Sequence, residues 1–278
     1  MSCAERLSDK IIKRNKVTKN KLFRIISPIL ITGALAALIL LSIKDYVEYK
    51  EVFDDVAAWS AFFSVFGIVY AIVAGFLLVT VLTKYSDLTL AIENELNAIE
   101  TVRDFLTYLN DEGNEVKKSI KDSLSHYATS LLDTEWPEMS DPHEPMDSDT
   151  SEELYEIMRK SKKISVDSDR DGVVFTAIVE NISDITKLRT RRIALANERL
   201  PPRLKILIAF MSIVLVIAFM LLGVQNIYTH VAILVSISTS IHLLYMIIED
   251  LDHPFYGIWN INRQPLEALV KRFIMENS

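Results

Sequence analysis

Glu249, Asp250, Asp252 and His253 follow directly after a run, Ile206 to Ile248, that holds no Asp, Glu, Lys or Arg. The three carboxylates, repeated around an axis in an oligomer, could form an acidic ring on an ion path. Glu249, Asp250 and His253 are also the only groups here from which chemistry on a lipid could be built. The plainer reading pairs the acids with Arg199 and Arg203, which should lie at a similar depth. Other constellations carry less. Asp167-Ser168-Asp169-Arg170-Asp171-Gly172 has the alternating carboxylates and turn glycine that open a calcium loop, but its twelfth position is Ile178 where a bidentate Glu is needed. An acidic turn before a helix accounts for it. His143-Glu144 has no second histidine at ligand spacing, and the single cysteine, Cys3, provides neither a disulfide framework nor a Cys-based metal site. There is no G-x-S-x-G, H-E-x-x-H or P-loop. The sequence therefore indicates no catalytic residue, metal or cofactor, and not an enzyme.

The elements that must position these groups are membrane helices. About 20 apolar residues cross the hydrocarbon core as a helix, so 206–248 is two crossings joined by a polar hairpin, Gly223 to His230. Ile25–Ile43 and Ala57–Thr83 are also free of charge, and neither alternates as a barrel strand would. The first is read as a retained helix, because no small-residue cleavage site follows it. His242 falls within the fourth span near Ser236, Ser238 and Ser240, where a polar side chain faces a pore or hydrogen-bonds between helices.

Lys and Arg give the orientation. Arg6, Lys10, Lys13, Arg14, Lys16, Lys19, Lys21 and Arg24 precede the first span, and Lys187, Arg189, Arg191, Arg192, Arg199, Arg203 and Lys205 precede the third. The loop from Lys44 to Val56 is acidic instead. Both termini and the middle segment are thus placed in the cytoplasm, with the protein in the cytoplasmic membrane. The formal charge of −7 divides into a basic inner face and acidic remainder. The basic arm is a topogenic signal, and no nucleic-acid partner is indicated.

The predicted fold is all-α: a polytopic membrane protein with four transmembrane helices and a helical cytoplasmic domain between the second and third. Residues 1–24 form a basic arm, 25–83 helices one and two, 84–205 the cytoplasmic domain, 206–248 helices three and four, and 249–278 a cytoplasmic C-terminal segment. Leu88, Ile92, Leu96, Ile99, Val102, Leu106 and Leu109 recur at steps of three and four with no intervening proline, which predicts one helix from Ala57 to Leu109. A second stripe, Val116 to Leu131, should stop at Trp136-Pro137, with 138–149 a loop. Thr150 and Glu153 have the form of a capping box for a helix through Lys163. A last stripe, Val174 to Leu188, leads to Pro201-Pro202, which suit the start of the third crossing.

Four segments resemble a prokaryotic membrane family of unknown function that is distantly similar to bestrophin channels. They are Gly75-Phe76-Leu77-Leu78-Val79-Thr80 with Tyr85 and Glu93-Asn94-Glu95-Leu96-Asn97-Ala98; Tyr127 with Glu135-Trp136-Pro137-Glu138-Met139; Arg191-Arg192 through Arg199-Leu200; and Asp250 to Gly257 with Gln264-Pro265-Leu266. Pro254, Phe255 and Gly257 are the most specific part. The resemblance implies a homo-oligomer, a pentamer in bestrophins, that conducts small inorganic ions, with membrane lipid around it and the second helix lining a central pore. On that helix Phe62, Phe66 and Tyr70 recur at steps of four, as do Val69, Val73 and Leu77; either row could form the constriction. Gly67, Ala71, Ala74 and Gly75 are small enough for close packing on the opposite face. The acidic run that clasps calcium in animal bestrophins is replaced here by Tyr256 to Arg263, without acids, so calcium gating is not implied. The sign of the ion stays open, since the acidic outer loop favours cations and the resemblance favours anions. The competing class is a non-conducting membrane-anchored scaffold or sensor acting through its cytoplasmic helices.

Overall fold

Apolar runs and three-four stripes give helices throughout, and among the described residues of this computed structural model there is no strand. It describes residues 27–28, 30–42, 56–109, 114–140, 151–222, 224, 226–256 and 258–276. In chain order the helices are α1 (Leu30–Ser42), α2 (Val56–Phe105), α3 (Asn114–Ser130), α4 (Trp136–Met139), α5 (Glu152–Ser161), α6 (Asp169–Asn197), α7 (Pro202–Met220), α8 (Ile227–Asp252) and α9 (Gln264–Glu276). The chain divides into two compact units, Met1–Thr80 with Leu200–Glu249, and Val81–Arg199 with Asp250–Ser278.

Among the described residues three helical stretches are long and apolar enough to cross a membrane, and their apolar parts are in α2, α7 and α8. The shorter α1 covers most of the first predicted span, whose ends lie outside the described residues. At Gly33 it approaches α8 so closely that an added Cβ would meet Thr239 Cγ2 at 3.1 Å and Val235 Cγ1 at 3.2 Å. Small residues permit such contact between helices in lipid. Ala36, Leu40 and Leu234 form the small core of this unit, with Val216, Phe219 and Val231 around it. Between α7 and α8 the predicted hairpin is shorter than expected: Asn226 Oδ1 accepts from the amides of Tyr228 and Thr229, so the helix restarts early. His230 is consequently a buried residue of α8, and its Nε2 lies 3.0 Å from the Phe219 carbonyl.

In the second unit every residue of the α2 stripe from Leu88 to Leu109 is buried. It packs with Ile120, Leu124, Tyr127 and Leu131, with Ile178, Ile182 and Ile185, and with Leu266, Leu269, Val270 and Phe273 of α9. The long helix is continuous to Phe105 and then tightens into a 3-10 turn, Leu106–Tyr108. At the standard rise its 50 residues span about 75 Å.

Three further predicted boundaries are corrected. Pro137 does not stop its helix. The chain widens into a π-helical turn, Leu131–Glu135, in which the Trp136 amide donates to Leu131 O, and Pro137 then opens α4, where no N–H is required of it. The cap of α5 is Ser151 rather than Thr150, its Oγ accepting from the Leu154 amide, and the helix ends at Ser161 rather than Lys163. Thr150 lies outside the described residues. The acidic run before α6 is a helix cap: Ser168 Oγ accepts from the Asp171 amide at 3.1 Å and donates to Asp171 Oδ2 at 2.7 Å. Among the described residues no group of three or more His, Cys, Asp and Glu could hold a metal.

Candidate functional site

On α2 the apolar segment has two different faces. Along the row Phe62, Phe66, Tyr70 the side chains pass from half-buried at the first two to buried at Tyr70. Phe62 and Phe66 stack at 5.1 Å, and the Tyr70 hydroxyl lies 3.3 Å from Ser212 Oγ of α7. Phe63 meets Phe219 with ring centroids 4.4 Å apart. Tyr70, Ala74 and Leu77 are buried, and Val73 is half-buried. The exposed face carries Val65, Ile68, Val69, Ile72, Phe76 and Val79, with Ile68, Ile72 and Phe76 at steps of four and each more than 60% exposed. Beside that row lie the exposed small residues Ser64, Ala71 and Gly75. Among the described residues nothing beyond the helix's own backbone and chain neighbours lies within 4 Å of where a Cβ on Gly75 or Gly67 would sit.

The acidic cluster is not one site. Glu249 pairs with Lys205 at 3.0 Å in the first unit. Asp250 turns back on its own chain, its carboxylate accepting from the Ile258 amide at 2.8 Å and the Trp259 amide at 2.6 Å. Asp252 is fully buried and pairs at 3.4 Å with Lys84, whose ammonium also donates to the Glu198 carbonyl. Lysines thus take the places expected of Arg199 and Arg203. Arg199 feels the Asp252 charge but donates to the carbonyls of Ala196 and Glu198, and Arg203 is exposed. The reason is position: Lys84 continues the buried stripe between Val81 and Leu88, so its charge arrives inside the fold.

Phe255 is buried against Trp136, ring centroids 5.2 Å apart at 85°. The Pro254 carbonyl accepts from the Ile261 amide at 2.9 Å, which closes the loop after α8. Gly257 lies outside the described residues.

The most extensive polar arrangement was not foreseen. Arg192 of α6, wholly buried, donates to both oxygens of Glu95 on α2 at 2.7 and 3.2 Å, and to Glu135 at 2.5 Å. Arg189 donates to the other Glu135 oxygen at 2.9 Å, and the buried Tyr127 hydroxyl donates to Glu95. Met139 Sδ is 3.2 Å from Arg192 Nη1. Burial, reinforced by the Glu95 charge, pushes the Tyr127 phenol well above its ordinary pKa. Burial also opposes the Arg192 charge, but Glu95 outweighs it and holds the guanidinium protonated beyond its usual range. Two carboxylates against two guanidiniums is a balanced set that ties three chain segments together. The signal was present: Glu95, Glu135, Arg189 and Arg192 all fall on the core side of their stripes.

A family model described as the Bestrophin-like domain matches residues 30–266. Among curated proteins no relative matches. The fold is similar to a crystal structure of a bacterial bestrophin homologue from Klebsiella pneumoniae carrying a point mutation, with a TM-score of 0.71 at 15% identity, covering 92% of this chain and 99% of that one. A second mutant of that homologue gives 0.65 at 19% identity, covering 91% and 94%. A structure described only as a membrane protein gives 0.64 at 18% identity, covering 90% and 96%.

Proposed function

The chain belongs to the bestrophin-like family, and on that premise we propose that it is a homo-oligomeric channel that conducts small ions passively across the cytoplasmic membrane. The observation that carries this reading is the exposed row Ile68, Ile72 and Phe76 on α2, opposite the face that packs on α7. Residues that a helix leaves uncovered in the protomer are available to line an axis in a ring of copies. Tyr70 and Leu77 are already covered, so Val69 is the residue of the two expected rows most open to such a path. The small residues Ser64, Ala71 and Gly75 beside the row let neighbouring copies of α2 approach closely. Resemblance to bestrophins favours five copies.

In this reading α1 completes a fourth crossing with the residues flanking it, and the Lys and Arg distribution places both termini and the second unit in the cytoplasm. An apolar constriction of this kind gates by dewetting.

The test is ion flux from liposomes holding the purified oligomer, under chloride and potassium gradients separately. Flux is expected in at least one gradient. Ile72→Glu, which wets the constriction, should raise flux or change its selectivity, whereas the same change at the exposed Phe210 of α7, off the proposed path, should not. No flux from intact oligomers in either gradient would refute conduction and favour the scaffold reading.

A further inference from the structure

A cavity of about 400 Å³ opens in the first unit between α1, α7 and α8, lined by Ala36, Ala209, Leu234, Ser238 and His242 among others. That volume is in the range of small-molecule sites, and its walls are almost wholly apolar. No residue of α2 lines it, so it is separate from the face proposed to surround the ion path. Within it His242 breaks the apolar pattern. Its Nε2 is buried and has no hydrogen-bond partner among the described residues. Buried polar atoms are nearly always paired, and an unpaired one inside a bilayer is costlier still because no water reaches it. Ser238, one turn away, spends its hydroxyl on the Val235 carbonyl and does not relieve the ring.

We propose that this cavity binds a neutral membrane-soluble molecule with a long apolar body and one hydroxyl or carbonyl group, which hydrogen-bonds to His242. Depth decides the class. His242 stands two turns before Glu249, about 10 Å from the charged boundary at the standard rise. A phospholipid headgroup stays at that boundary, and a carboxylate carried to this depth would be heavily penalised. A long-chain alcohol or an isoprenoid quinone meets both conditions. The imidazole already lines the cavity, and the hydrogen bond requires the ring to turn about its Cβ–Cγ bond so that a nitrogen faces the ligand. The inference requires membrane insertion alone and stands whether or not the protein conducts.

The experiment uses the full chain in liposomes with two photoreactive probes, a diazirine-bearing long-chain alcohol and the alkane of equal length, with labelled residues mapped by mass spectrometry. The alcohol should label the cavity walls of α1, α7 and α8 in preference to the alkane. Ala209→Phe, or Ala36→Phe if the first variant fails to assemble, should fill the space and remove that labelling. His242→Leu keeps the apolar walls and should cut alcohol labelling about fivefold, the worth of one neutral hydrogen bond, while leaving the alkane unchanged. Competition by unlabelled quinone against unlabelled alkanol identifies the source, and either supports the site. Equal labelling by alcohol and alkane, labelling untouched by the filling variants, or alcohol labelling unchanged in His242→Leu would overturn the proposal.

Discussion

Replacing Arg192 by Met should cost this protein more than any other single change to a charged side chain. Arg192 and Glu95 are both fully buried, and the guanidinium makes three hydrogen bonds to two carboxylates. Met has similar length and fills the volume, so the lost packing is small. What remains, among the described residues, is Glu95 inside the core with only the Tyr127 hydroxyl, and Glu135 with only Arg189. Removing one partner of a buried pair costs about 3–5 kcal/mol, because the surviving charge is stranded. For a chain of 278 residues each kcal/mol lowers Tm by about 2 °C, so the loss should be roughly 6–10 °C. The assay is thermal unfolding of the detergent-purified protein, followed by near-UV circular dichroism. The neighbouring Arg191 is exposed and serves as control, since Arg191→Met should change stability by no more than about 0.5 kcal/mol. Adding Glu95→Gln to Arg192→Met should recover part of the loss, because the stranded charge is then gone. A drop of less than about 2 °C for Arg192→Met would refute the argument.

Tyr127 should make the fold sensitive to alkali. Its folded pKa lies above the ordinary 10.0, so the unfolded state releases the proton first, and stability present below pH 10 is lost as pH rises beyond it. Tyr127→Phe should be less stable at pH 7 but decline less steeply above pH 10, which unfolding at a series of pH values would read; an unchanged slope would count against the role of this phenol. Asp250→Ala leaves the Ile258 and Trp259 amides without their acceptor, worth about 2 kcal/mol locally. Chymotryptic cleavage at Trp259 should accelerate, and an unaltered rate would mean the carboxylate does not hold the loop. Gly33→Val presses on Thr239 and Val235, and overpacking of this kind costs about 1–3 kcal/mol. A cysteine crosslink between α1 and α8 should form more slowly in that variant, and an equal rate would show that the helices do not approach there.

Apolar periodicity carried most of the fold. The stripes of α2, α3 and α6 were readable because each buries a face against the others, and burial selects residues at helical spacing. Pro201-Pro202 and the acidic run at Asp167 were readable for a local reason, since caps depend on neighbouring backbone alone. Pro137 misled for the opposite reason. A proline ends a helix only if the chain cannot find another bond, and here a wider turn supplied one. The faces of α2 between Phe62 and Leu77 could not be separated by sequence, because every position there is apolar or small and periodicity has no contrast. Only the packing of Tyr70 on Ser212 and Phe63 on Phe219 distinguishes them. The partners of Glu249, Asp250 and Asp252 were missed because pairing at a common depth ignores direction, and adjacent residues on a helix point about 100° apart.

The buried charges explain something the stripes cannot. Leu88, Ile92, Leu96, Ile99, Val102 and Leu106 repeat so regularly that sliding α2 by one turn against α3 and α6 would exchange one set of aliphatic contacts for a similar one. Apolar burial is not directional, and it discriminates poorly between such registers. A one-turn slip of about 5.4 Å would, however, take Glu95 out of reach of both Arg192 and Tyr127, leaving charges of both signs unpaired in the core. Lys84, eleven residues earlier on the same helix, adds a second fixed point through Asp252 and the Glu198 carbonyl. Apolar residues in their place could give an equally stable core, so stability is a poor reason for burying these charges. Register is a better one: two separated points define where a long, uniform helix sits along its neighbours, and one point or a smooth stripe does so less sharply.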